Sequence, residues 1–166
     1  MKDRSPADAH AQGFNPLYAT TVFQSVFPAG AWPAAFAIIT ACDPCGRKTV
    51  SAMNQSADLQ LENDLRHRGL RYWRVTGGSP DFDHAEPGYA VELPLSEALD
   101  LGRKYRQEAV FWIERDELCI VACGSELRQE LGSWTERLAL GDGLPRSPKS
   151  FGEPSSTTEV TPGTTI

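Results

Sequence analysis

The chain has 166 residues, 40% of them hydrophobic and 23% charged, the size and balance of one globular domain with a core of its own. Its formal charge is −6, whereas a protein that grips nucleic acid by neutralising phosphates carries a basic excess, so dedicated DNA or RNA binding is not expected. No run approaches the ~18 apolar residues of a bilayer span, and the first six residues lack the apolar core of a signal peptide. The expectation is therefore a cytoplasmic protein with reduced thiols at Cys42, Cys45, Cys119 and Cys123.

Residues 1–15 are polar and Gly/Pro-punctuated, which suits a flexible N-terminal segment. Tyr, Thr, Val and Phe over 17–26 predict a first strand, and two prolines break the segment that follows. The apolar run 35–41 predicts a central strand buried on both faces. Met53, Ala57, Leu61 and Leu65 recur every four residues and predict one apolar stripe of a helix capped by Ser56. Gly69 fits the left-handed position after that helix, and Leu70 is placed to touch Leu65 in a Schellman ending.

Residues 70–75 alternate as a third strand, stopped by Gly77-Gly78. An acidic loop over 81–86 leads to a fourth strand over 89–93, and a second helix runs from about 97 to 106 behind a Ser96 cap. Two apolar strands, 109–113 and 118–123, read as a hairpin, and 126–140 as a short third helix. Of the last 24 residues, 16 are Gly, Pro, Ser or Thr, which predicts a disordered tail over 143–166. The expected architecture is α+β over 16–142: a mixed or antiparallel sheet of about six strands in the order β-β-α-β-β-α-β-β, with two main helices packed on it.

Three constellations carry candidate chemistry. Cys42-x-x-Cys45 ends the buried strand, but a thioredoxin-like motif puts its first Cys at a helix N-terminus. Cys119 and Cys123, four apart on a strand, lie ~13 Å apart and cannot ligate one ion as a pair, so ordinary packing thiols and no metal are expected. Strand, then a Gly-containing loop with Arg47 and Lys48, then a helix is a layout that cradles phosphates. Asp81, Asp83, His84 and Glu86 are a candidate metal or acid–base set. The basic clusters at 66–71 and 103–106 fall at helix C-termini, where cations complement the dipole.

The run Phe36-x-Ile38-Ile39-Thr40-Ala41-x-Asp43-Pro44-x-Gly46, then Ser51-x-x-Asn54 and the Leu61/Leu65 helix, resembles a bacterial family, domain of unknown function 3293. So do His84-x-Glu86, the strand over 89–93, and Leu101-Gly102-Arg103-x-Tyr105-x-Gln107-x-Ala109-Val110-Phe111, and the resemblance covers roughly 16–123. It implies no activity and no cofactor, but it supplies candidate ligand-binding positions: Thr40, Asp43, Asn54, His84, Glu86, Arg103 and Gln107. The favoured expectation is a domain that binds a small anionic ligand, such as a nucleotide, beside the 40–54 loop. The alternatives are a protein-interaction module presenting Trp73, Trp112 or Trp134, and a metal-dependent hydrolase using Asp81, Asp83, His84 and Glu86. Catalytic residues and a protein partner stay open.

Overall fold

The computed structural model describes residues 13–26 and 32–139. In chain order come β1 (Val22–Gln24), β2 (Ala35–Ile39), α1 (Ser51–His67), β3 (Arg71–Gly78), β4 (Ala85–Glu92), α2 (Leu95–Lys104), β5 (Ala109–Glu114), β6 (Glu117–Ala122), β7 (Arg128–Ser133), α3 (Trp134–Arg137) and β8 (Leu138–Ala139). The strands form one sheet in the order β7-β6-β5-β2-β4-β3-β1-β8. Every neighbouring pair is antiparallel except β1–β8. The α+β class stands, with eight strands among the described residues rather than about six. The tail expected over 143–166 lies wholly outside the described residues, and the N-terminal segment expected over 1–15 lies mostly outside them.

Strand alternation sorts side chains onto two faces. Ala37, Ile39, Tyr89, Val91, Val110, Trp112, Cys119 and Val121 point to one face, where Leu61 and Leu65 of α1 and Ala98 and Leu101 of α2 cover them. Both main helices therefore share a face. Phe23, Phe36, Ile38, Val75, Ala90, Ile113 and Leu118 point to the other, which the sheet encloses by curling. Phe23 of β1 meets Phe111 of β5 edge-on with centroids 5.1 Å apart, and Trp134 lies 5.4 Å from Phe36. One helical turn, α3, carries the chain from the β7 edge to the β8 edge. Asp116 anchors it by accepting from Ser133 Oγ, Thr135 N and Thr135 Oγ1. Arg137 latches it by donating to the carbonyls of Ala19, Thr21 and Leu131.

The end of α1 is as expected. Gly69 has φ +65°, its N–H reaches Arg66 O at 3.0 Å, and Leu70 N–H reaches Leu65 O at 3.1 Å. Its start differs. The helix begins at Ser51 behind Val50, with no side-chain cap; Ser56 lies inside it, and Met53 is 62% exposed rather than part of the buried stripe. The first turn is held instead by Asn54, through tertiary bonds to Asp43. α2 likewise starts behind Pro94 with no side-chain cap, not behind Ser96.

Other corrections follow from long-range pairing. The segment expected as a strand over 17–26 is a 3₁₀ turn, Pro16–Thr20, set by Asn15 Oδ1 accepting from Leu17 N, and only then β1. β3 runs through Gly77-Gly78 because Val22 and Phe23 pair there. β4 starts at Ala85, so the acidic segment is a hairpin tip. The expected helix over 126–140 is β7, α3 and β8: the free edge of β6 takes up a polar segment that has no apolar stripe with which to bury a helix. Trp112 is 7% and Trp134 3% exposed, so these two tryptophans do not form a docking surface. Among the described residues no helix is long and apolar enough to cross a membrane.

Candidate functional site

β2 ends between the start of β4 and the start of β5, and most of the candidate polar residues gather at that end of the sheet. The loop after β2 has an unusual backbone: Asp43 (φ 43°), Cys45 (φ 58°) and Gly46 (φ 64°) all take the left-handed conformation. Side chains fix it. Thr40 Oγ1 donates to Pro87 O (2.9 Å) and accepts from Cys42 N (3.0 Å). Asn54 Oδ1 accepts from Asp43 N (2.9 Å), while Asp43 Oδ1 accepts from Asn54 Nδ2 (2.8 Å) and Thr49 N (2.9 Å). These donors, Asn54 first and then Thr49, hold the Asp43 carboxyl below its ordinary pKa. Gln107 Nε2 donates to Cys42 O (3.0 Å) and Tyr105 O (3.2 Å), and Cys45 N–H reaches Arg106 O at 2.7 Å.

Thr40, Asp43, Asn54 and Gln107 therefore form one connected network, and its bonds face inward. Glu86 sits beside it, next to Pro87. Its pKa is raised by burial, an effect that His84 opposes through an Nε2–Oε1 contact of 3.1 Å. Arg103 does not join: it donates to Cys123 O (2.6 Å) and pairs with Asp100 (2.5 Å), tying α2 to the end of β6. Asp81 is occupied by Ser79 Oγ (2.6 Å) and Asp83 N (3.2 Å) in the hairpin tip. Among the described residues no three His, Cys, Asp or Glu side chains are arranged to hold a metal ion. All four cysteines are free; Cys45 is exposed, and burial raises the thiols of Cys42, Cys119 and Cys123, the last to about 11.

A concavity among the described residues lies on the other side of the same loop. A groove of about 420 Å³ runs between α1 and the end of α2, floored by Ala41, Pro44 and Ala57 and walled by Gln60, Asn63, Asp64, His67, Lys104, Tyr105 and Arg106. Gln60, Asn63, Asp64 and His67 share one face of α1 by their 3–4 residue spacing. Asp64 Oδ2 accepts from Lys104 Nζ and from Tyr105 Oη (2.6 Å), bonds that hold its carboxyl below the ordinary value, the Lys104 bond most. The Tyr105 phenol is pushed up, first by burial and then by that bond. His67 Nδ1–H donates to Asn63 O at 2.7 Å, which leaves Nε2 open. The side chains of Gln60, Asn63 and Arg106 make no bond to any described residue.

Arg106 has φ +58°, a conformation fixed from three sides: its N–H reaches Arg103 O, its carbonyl takes Cys45 N–H, and Gln107 clamps the next residue. Sequence reasoning missed Gln60, Asn63, His67, Lys104 and Arg106 as site residues. Their signal was the polar stripe at helical spacing together with the two basic clusters, which dipole complementation explained equally well.

No curated protein and no solved structure matches the chain. A family model does match, over a shorter stretch than the 16–123 expected from the motifs. Residues 39–110, from the end of β2 to the second residue of β5, match the model of the family described as Protein of unknown function (DUF3293).

Proposed function

We propose that this is a small-ligand-binding domain that holds a compact anionic molecule in the groove between α1 and the turn after α2, beside the loop that follows β2. The observation that carries the reading is Arg106. Its guanidinium has no partner among the described residues, yet its backbone is held in a left-handed turn by three hydrogen bonds, at the rim of a groove of ligand size. A cation without a protein partner, carried on a turn whose backbone is fixed, is available to an external anion.

Thr40, Asp43, Asn54 and Gln107 serve this site from behind, by fixing the loop whose Ala41 and Pro44 form the floor. Glu86 and His84 flank the loop, and Arg103 supports α2. The test is thermal denaturation of wild type and Arg106→Gln in a series of small anions. A midpoint that rises with ligand in wild type and not in Arg106→Gln is expected. A rise of equal size in both would put the ligand elsewhere and sink the reading.

A further inference from the structure

We infer that the groove takes a monocarboxylate joined to a secondary amide, the chemistry of an N-acylated amino acid or of the C-terminal end of a short peptide, rather than a phosphate ester. The inference rests on the reading above that the groove is the ligand site.

Charge decides first. Of the cationic side chains that wall the groove, Lys104 is engaged by Asp64, and Arg106 alone lacks a partner among the described residues. The His67 ring bonds Asn63 O through Nδ1–H, so in its neutral form Nε2 presents a lone pair rather than a proton. α1 ends at His67 and α2 at Lys104, so both C-terminal carbonyl ends add negative potential here, on a chain that already carries −6. A phosphate monoester near its dianionic state would be about half neutralised by one guanidinium. A carboxylate matches it, because the guanidinium fork presents two parallel N–H donors to two carboxylate oxygens.

The remaining walls decide the rest of the ligand. Asp64 Oδ1 makes no bond to a described residue, since Lys104 and Tyr105 both go to Oδ2. With His67 Nε2 and the amide oxygens of Gln60 and Asn63, the α1 side of the groove is rich in acceptors. A phosphate dianion has no proton to donate to them and would be repelled by Asp64. An amide N–H answers an acceptor, and its carbonyl answers the NH₂ of Gln60 or Asn63. The floor of Ala41, Pro44 and Ala57 leaves room for a short aliphatic side chain.

The experiment is ligand-observed NMR on the full chain with N-acetylalanine, N-acetylalanine amide, glycylalanine, inorganic phosphate and adenosine monophosphate. N-acetylalanine or glycylalanine should bind, and comparing the two tells an acylated amino acid from a peptide end. Capping the carboxylate as the amide should weaken binding roughly tenfold or more, as expected for loss of a bidentate ion pair. Arg106→Gln should do the same without a change in unfolding midpoint. Tighter, Arg106-dependent binding of phosphate or adenosine monophosphate would overturn the carboxylate assignment and leave the groove as the site. If no probe binds in an Arg106-dependent way, the groove reading falls and this inference falls with it.

Discussion

Two polar neighbourhoods back onto each other across the turn at 105–107. On one side Asp43 and Asn54 bond each other, and Thr40, Asp43, Asn54 and Gln107 all bond the backbone, leaving little for a ligand. On the other, Gln60, Asn63 and Arg106 are held by their elements yet bond nothing described. A polar residue that faces a strand end or a helix start can serve either purpose. The difference lies in where its hydrogen bonds end. Side chains that complete the backbone of a left-handed loop are structural, and those left open over a groove are available to a ligand.

Cutting the network should therefore cost stability, and trimming the groove should not. Asn54→Leu removes both bonds to Asp43 and leaves Asp43 N–H and one carboxylate oxygen short of partners, so urea denaturation should show a loss of about 2–3 kcal/mol. Gln107→Leu should cost less, about 1 kcal/mol. It should also weaken ligand binding several-fold, because the Arg106 turn loses its clamp. In an Arg106→Gln background Gln107→Leu should cause no further loss of affinity; an equal loss there would show that Gln107 does not act through Arg106.

Acid should expose the same contrast. The Asp43 pKa is held down in the fold, chiefly by Asn54. Its contribution is present above the unfolded value of about 3.9 and is lost as pH falls through the lower folded value. Asn54→Leu should flatten that acid limb in a plot of stability against pH. Glu86 has the opposite sign: burial raises its folded pKa, so stability present below the unfolded value of about 4.3 is lost as pH rises through the folded one. Glu86→Gln should stabilise the protein at neutral pH and leave it unchanged in acid. Smallest of all, replacing Gln60 and Asn63 together with alanine should keep stability within about 0.5 kcal/mol of wild type, because neither amide bonds the protein.

Much of the fold was legible in the residues. The Gly69-Leu70 helix ending, the buried run of β2 and the hairpin of β5 and β6 follow from local rules, and each is present. What failed was non-local. The edge of β6 fixes β7, and the pairing of β1 with Gly77 and Gly78 extends β3 through residues that read as a stop. The network residues stood out because they interrupt apolar segments. Arg106 did not, because its left-handed φ is visible only once the Cys45 and Gln107 contacts exist. Local rules also put Met53 in the buried stripe, and the site of α1 on the sheet leaves it exposed.

The closing of the sheet bears on the order in which the molecule can be completed during synthesis. β1 precedes every other described strand in the chain, and its outer edge is covered by Leu138 and Ala139, at the far end of the described residues. Trp134, which fills the space against Phe23 and Phe36, arrives only a few residues sooner. Until the ribosome has released that stretch, a nascent chain can pair β2 to β6 and pack both main helices, but its aromatic interior stays open along one seam. Such a chain exposes a strand edge and several aromatic rings together, the combination that holding chaperones recognise and that favours aggregation.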